Sequence, residues 1–360
     1  MKLERLFFLS VLLSLSFVAC DKGEKPGNED NGSNDKTTET VELVSIKLDK
    51  ADAELKVGEK IQLSVIVEPE ECKDYKLEWT SSDADVAVVD KNGEVTALVP
   101  GKTDITVSSG ELKSVCKLVV KSKASVGDFY YSDGTFSSEL DMRKLPIGIV
   151  FWTGNPAIHD DALKREHPEC VNGLVVALSE SSDNVYWQTR TQNYQHTIGS
   201  WIDKNLTDYI SITSEGEGID DNLNKILGYN NTKAIEEFNA APENKAWPAD
   251  IMKEVDLHRM NAPAPETSSG WYLPSIKEWS LICAGDQDAN VLEISIIDNI
   301  EKYLNPKLKQ VNDAIPFEWN GYWSSTELPD KQCYSIFADS GYIEPSSKGY
   351  PAHVRCVLAF

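Results

Sequence analysis

The chain has 360 residues, with 35 Lys and Arg against 58 Asp and Glu, a formal net charge of −23. That balance excludes nucleic acid as a partner, because such binding rests on Lys and Arg neutralising phosphates. With 41% hydrophobic and 26% charged residues the chain is neither wholly disordered nor wholly membrane-embedded, and its length predicts two domains plus tails.

At the start, Lys2 and Arg5 precede an apolar run from Leu6 to Leu15 that serines interrupt, the layout of a secretory signal peptide and too short for a first reading as a spanning helix. Ser16-Phe17-Val18-Ala19-Cys20 resembles the lipobox of bacterial lipoproteins. The resemblance implies that residues 1–19 are removed and that Cys20 is acylated, leaving a lipid anchor in the membrane. Residues 21–40 contain no aliphatic or aromatic side chain, so they cannot repay their ordering entropy, and 20–40 is predicted to be a solvated tether. Asp21-Lys22-Gly23-Glu24 is loosely similar to the surface-export signals of Bacteroidota lipoproteins, which implies an outer-membrane lipoprotein at the cell surface.

From residue 41 to 121 the pattern is short alternating strands. Ile61, Leu63, Val65 and Val67 share one parity, which predicts a half-buried strand. Val86 to Ala97 reads as a hairpin turning at Asn92-Gly93, a pair that supplies positive φ angles. Pro100-Gly101 makes the next turn, and a final strand carries Cys116, Leu118 and Val120 on one face. About eighty residues of this texture predict a β-sandwich. Leu55-Lys56-Val57-Gly58-Glu59, Trp79-Thr80-Ser81-Ser82-Asp83 and Asn92-Gly93-Glu94-Val95-Thr96-Ala97, in that order, resemble the bacterial Ig-like domain of group 2. That family implies a spacer without catalytic residues, with Trp79 in the core.

Beyond Val126 lie eight of the nine tryptophans and all five histidines, a crowding that predicts a compact core with little regular structure. Strands are predicted at Phe129 to Tyr131, Ile147 to Trp152 and Gly173 to Leu178, and helices at Asn231 to Ala241 and Asn290 to Leu304. Ser275 with Glu278 forms a capping-box pattern after Pro274, so a helix should start there and turn Trp279 and Ile282 inward. Gly270-Trp271-Tyr272-Leu273-Pro274-Ser275, Gly321-Tyr322-Trp323-Ser324-Ser325-Thr326-Glu327 and the ending Val354-Arg355-Cys356-Val357 are similar to C-type-lectin-like, formylglycine-generating-enzyme-like domains, especially the DUF1566 (Lcl C-terminal-like) and Fibrobacter major-paralogous types. The fold expected over 126–360 is therefore α+β and lectin-like, after a mainly β Ig-like sandwich.

With Cys20 acylated, six cysteines remain, an even number compatible with disulfides in an oxidising compartment. If pairing respects the two domains, Cys72 can only meet Cys116; three connectivities are open among Cys170, Cys283, Cys333 and Cys356, where the last pair would be neighbours on the final strands. The alternative is buried free thiols.

Signatures of enzymes are lacking: the sequence holds no His-Glu-x-x-His, Gly-x-Ser-x-Gly, P-loop or Cys-x-x-Cys. His159-Asp160-Asp161 with Glu166-His167 comes nearest to a metal cluster, but the two histidines would sit about 80° apart around a helix, as on a solvated face. Glu215, Glu217, Asp220 and Asp221 crowd one loop with carboxylates of the kind that bind calcium, although in so acidic a chain a plain loop is the simpler reading. No other cofactor or metal is expected. The calcium-lectin triplets are only approximated, by Trp319-Asn320-Gly321 and Glu344-Pro345-Ser346, and the resemblance to formylglycine-generating enzymes lacks their cysteine pair.

What remains is recognition. Tyr322, Tyr334, Asp339, Tyr342, Tyr350 and His353, with Ser346, Ser347 and Lys348 among them, form the Tyr/Ser/Asp mixture of adaptable binding surfaces. In lectin-like proteins diversified by retroelements, variable residues occupy this same stretch. The chain thus reads as a lipid-anchored, adhesin-like binding protein in which an Ig-like spacer presents a module for a glycan or protein ligand. Its competitors are a structural subunit of a surface appendage and an unrecognised enzyme on the same fold.

Overall fold

Nine short strands build the first region, in chain order β1 (Ser45–Leu48), β2 (Asp52–Lys56), β3 (Lys60–Gln62), β4 (Val65–Glu68), β5 (Glu78–Ser81), β6 (Ala87–Val89), β7 (Glu94–Ala97), β8 (Gly101–Ser109) and β9 (Leu112–Lys121). They form a four-stranded sheet β2-β9-β8-β5, a three-stranded sheet β3-β7-β6 and the pair β1-β4. Alternation sends Leu55, Val95, Ala97, Ile105, Val107, Cys116, Leu118 and Val120 into one shared aliphatic core, so the layers make a sandwich. This computed structural model describes residues 41–181, 184–190, 197–214 and 222–360. The expected signal peptide, Cys20, the tether and the acidic loop at 215–221 lie outside the described residues. No helix among the described residues is long and apolar enough to cross a membrane.

Two local expectations for the sandwich are altered. The run from Ile61 to Val67 is two strands with different partners, β3 on β7 and β4 on β1. It breaks at Ser64, whose N–H donates to the Asp49 carboxylate at 2.8 Å. The hairpin between β6 and β7 forms, yet among its turn residues only Gly93 takes a positive φ, of 84°. Asp90 closes the loop instead, its carboxylate accepting the N–H groups of Asn92 and Glu94 at 2.8 Å each. Gly93 has a further reason to lack a side chain, since a Cβ would lie 2.7 Å from the Trp79 ring.

The second region contains β10 (Phe129–Tyr131), β11 (Phe136–Ser137), β12 (Pro146–Trp152), α1 (Asp161–Glu166), β13 (Leu174–Ala177), β14 (Val185–Tyr186), α2 (Ile198–Asn205), α3 (Gly228–Ala240), α4 (Met252–Asn261), α5 (Ile276–Ala284), α6 (Asn305–Leu308), β15 (Gly321–Glu327), β16 (Gln332–Phe337), β17 (Tyr342–Ser347), β18 (Pro351–Ala352) and β19 (Val357–Ala359). A five-stranded sheet runs β11-β10-β12-β13-β19, so the C-terminal strand closes beside β13. A separate antiparallel sheet, β15-β16-β17, carries the candidate site.

Helix α5 starts on the expected capping box: Ser275 Oγ accepts from Glu278 N and the Glu278 carboxylate accepts from Ser275 N, while Trp279 and Ile282 are buried. The helix expected over Asn290 to Leu304 is instead a 3₁₀ turn at Val291–Glu293 and a π turn at Ile300–Leu304 that runs into α6. Asn290 caps the first turn by accepting from Leu292 N. Irregular backbone elsewhere is satisfied by side chains. The indoles of Trp187, Trp279 and Trp323 donate to the carbonyls of Ser324, Trp323 and Val185 at 2.9–3.0 Å.

Candidate ligand-binding site

Strand register decides which side chains of the β15-β16-β17 sheet can meet a ligand. Tyr322 lies opposite Ile336 and Ile336 opposite Ile343, while Tyr334 faces Pro345. Tyr322, Tyr334 and Ile336 share the face turned into the core, while Pro345 at the edge is exposed. Tyr322 is 0% exposed and Tyr334 4%, which corrects their assignment as surface ligand contacts. Burial first, then the charge of Glu180, raises the Tyr322 phenol well above its ordinary pKa, and the hydroxyl donates to the Glu180 carboxylate.

The opposite face holds Phe337 across from Tyr342 and Ser335 across from Glu344. Phe337 and Tyr342 stack with centroids 6.4 Å apart and planes 26° apart. Ser335, Phe337 and Glu344 of this face, together with Trp319, Asn320, Ser346, Tyr350 and His353, line an open cleft of about 330 Å³, with Tyr342 behind Phe337 and outside the lining. Trp319 is 86% exposed, Tyr350 67% and Tyr342 58%. Asp339 sits in the turn between β16 and β17 and does not line the cleft.

A buried carboxylate organises one rim. Glu180 accepts from Asn320 Nδ2 at 3.2 Å and lies 3.1 Å from His353 Nδ1 and 3.5 Å from Arg355 Nη1. Arg355 is fully buried, with its guanidinium 4.0 Å from the centre of the Phe317 ring. Its other donors reach the carbonyls of Ala177, Leu178 and Ile315. Asn320 and His353 are thereby pre-oriented at the cleft.

Lys348, expected among the surface residues, is only 2% exposed. Its ammonium pairs with the fully buried Glu327 and sits 4.2 Å from the centre of the Trp187 ring. Glu327 also accepts from the N–H groups of Ile198 and Gly199 at the start of α2, where the helix dipole favours an anion. The pair pins the chain just after β17, and this leaves the next aromatic, Tyr350, facing solvent.

The six described cysteines are all buried thiols, which corrects the four residues expected in disulfides. Cys116 points into the sandwich core, whereas Cys72 lies in the turn after β4 outside that cluster. Cys333 and Cys356 share a core cluster, but Cys333 is on β16 and Cys356 precedes β19 in the other sheet, so they are not neighbours on paired strands. Burial pushes the thiols of Cys283 and Cys356 up to about 12. The stretch around His159, expected on a solvated helix face, instead has Asp160 buried: it caps α1 by accepting from Leu163 N and also accepts from Asn230 N, each at 2.8 Å. Nearby, His167, Glu169 and Cys170 offer ligand atoms within 4.8 Å of one another. Burial holds the Cys170 thiol up at about 12, and its Sγ lies 3.9 Å from the Thr267 carbonyl oxygen.

In the sequence, Trp319, Asn320 and Glu344 stood out only as parts of imperfect calcium-lectin triplets, and Ser335 and Phe337 did not stand out at all. The available signal was strand parity: once Tyr322 and Tyr334 are core, Phe337 and Glu344 follow on the opposite face, where Ser335 is still only 4% exposed.

Residues 42–120 match the bacterial Ig-like domain, group 2. A Bacteroides ovatus protein described as a candidate fimbrium tip subunit, Fim1C, is 30% identical over 233 residues, covering 59% of this chain and 40% of that protein. An uncharacterised protein of Clostridium acetobutylicum is 31% identical over 306 residues, covering 71% of this chain and 30% of its own length. The chain thus spans less than half the length of these curated relatives. A crystal structure of a fimbrial protein from Bacteroides ovatus superposes with a TM-score of 0.55 at 21% identity, covering 88% of this chain and 70% of that one. That likeness shows the fold, an Ig-like β-rich region with a following mixed region. The named proteins matched over more than half of the chain are fimbrial, and neither is named as an enzyme.

Proposed function

We propose that the protein is a subunit of a fimbria-like cell-surface appendage, in which the Ig-like sandwich is a spacer and the C-terminal region makes the outward contact. The observation that carries this reading is the 30% identity over 233 residues to the candidate fimbrium tip subunit of Bacteroides ovatus. The sequence supports an export route to match: the lipobox-like run ending at Cys20 would make a lipid-anchored precursor. A pure adhesin anchored on its own lipid is the weaker form of the idea, because the relatives are named for fimbriae. An aromatic cleft on the exposed face of the last sheet is what such a subunit would use to meet a ligand, and the lectin-like resemblance of 126–360 fits that division of labour.

The test is to disrupt the gene in its own host and isolate sheared surface filaments. Expected is the chain itself in wild-type filaments by mass spectrometry, with surface exposure lost in Cys20→Ser cells. A chain absent from sheared material and present only in the periplasm would overturn the reading.

A further inference from the structure

We propose that the cleft lined by Trp319, Phe337 and Tyr350 binds a neutral oligosaccharide, without calcium, by stacking sugar rings on these aromatics. This rests on the appendage reading in one respect only, that this face looks outward instead of being covered by the next subunit.

Three observations point to that ligand class. First, Trp319 at 86% and Tyr350 at 67% exposure spend large apolar rings on solvent, where the fold gains nothing from them; rigid amphipathic rings in this state mark contact sites. A pyranose offers the matching shape, with an apolar C–H face for a ring and hydroxyls around its edge.

Second, the polar groups suit hydroxyls. Ser335 and Ser346 are linked Oγ to Oγ at 2.8 Å, and the Ser346 hydroxyl reaches Glu344 at 3.4 Å. The Ser346 hydroxyl, backed by the buried Ser335 and next to one carboxylate, can both donate to and accept from a sugar edge. Asn320 and His353 on the other rim are held in place by Glu180.

Third, charge sets the boundary. The cleft is lined by no Lys or Arg and by a single carboxylate, Glu344, within a chain of net charge −23. A sialylated or sulfated glycan would find no counter-charge, and one carboxylate is too few to hold calcium, which takes six to eight oxygen ligands. A volume of about 330 Å³ is near the lower end for ligand pockets, enough for a short saccharide and too small for a folded partner.

The experiment uses the intact chain purified in detergent, with tryptophan fluorescence and calorimetry against neutral di- and trisaccharides of hexoses and N-acetylhexosamines, in chelator and in calcium. Sialylated and sulfated counterparts form the second arm. Expected is saturable binding to a neutral saccharide, equal with and without calcium and weakened on the order of tenfold or more in Trp319→Ala and Tyr350→Ala. Tyr75→Ala, an exposed tyrosine in the sandwich region, should bind as wild type. Binding that requires calcium, that prefers the anionic arm, or that survives both substitutions overturns the proposal. So does the lack of binding in either arm. If saccharides do not bind but Trp319→Ala abolishes incorporation into filaments, the cleft is a subunit interface, and the appendage reading stands while this one falls. A wild-type chain that binds a neutral saccharide but is absent from surface filaments leaves the site in place and removes the appendage.

Discussion

The two regions of the molecule solve the problem of a buried interior in different ways. In the sandwich, regular strands pair the backbone with itself, and the core is a set of small aliphatic residues such as Ile105, Val107, Leu118 and Val120. Thr103 is a rare buried polar group there, and its Oγ1 accepts from Asp83 N at 2.9 Å. In the C-terminal region, long irregular stretches leave backbone groups that strands do not satisfy, and buried Asp160, Lys277, Glu278, Glu327, Lys348 and Arg355 meet them or one another. Lys277, for example, donates to the Ala289 carbonyl at 2.7 Å. Area alone is enough to stabilise a regular sandwich, whereas an irregular core depends on polar networks that are costly when half broken.

The sharpest way to break this contrast is at the Lys348–Glu327 pair. Lys348→Ala strands a buried carboxylate and should destabilise the C-terminal region by about 3–5 kcal/mol, while Lys348→Met combined with Glu327→Leu should recover much of that loss. Hydrogen exchange read by mass spectrometry, peptide by peptide, should show the loss beyond residue 126 and leave the sandwich strands protected. Equal loosening of β8 and β9 would contradict the separation. The reciprocal change is Ile105→Ala, which opens a cavity worth about 2–5 kcal/mol. Its increase in exchange should stay within β1 to β9.

The pH dependence should follow the same divide. Burial raises the Glu278 carboxyl from 4.5 to about 7 and Asp160 from 3.8 to about 6. Between the unfolded and folded values the folded state binds the extra protons, so folding is favoured at the acid end and this contribution is lost as pH rises through about 7. Denaturant melts of the C-terminal region from pH 4 to 8 should therefore show a falling contribution that Glu278→Gln flattens. A slope untouched by that change would place the titration elsewhere. Smaller again is Ser275→Ala, which removes the cap of α5 and should cost about 1 kcal/mol, visible as faster exchange in the first turn of that helix.

How much could be read beforehand followed the range of the interaction. The α5 capping box spans four residues, and the β6–β7 hairpin turns between Val89 and Glu94, so both were visible in the chain; even there, Asn92 does not take the expected positive φ and the Asp90 carboxylate closes the loop. The helix expected at Asn290 failed because tertiary contacts overrode composition: Asn299, between the two turns, donates to the carbonyls of Phe151 and Leu281 at 2.9 and 2.8 Å. At the cleft, Tyr/Ser/Asp composition pointed to a stretch of which Ser346, Tyr350 and His353 line the opening, but it could not say which tyrosines point outward. That depends on register with β16 and β17, a long-range fact, and Trp319 stands before the first of those strands where no alternation reaches it.

Least disturbing of all should be the residues with most to do with the surroundings. Tyr342→Ala and Tyr350→Ala remove rings that are 58% and 67% exposed, so each should change stability by no more than about 0.5 kcal/mol. Trp319→Ala, at 86% exposure, should do the same, and its exchange pattern should match wild type from β1 to β19. This near-silence is informative because the two explanations for a large exposed ring predict opposite results. A ring that props a loop would loosen residues 316–321 when removed, whereas a ring kept for an external partner leaves the fold as it was. Trp319→Ala protein that melts with wild type but no longer engages its ligand would assign the ring to recognition; loosening confined to that loop would return it to the architecture.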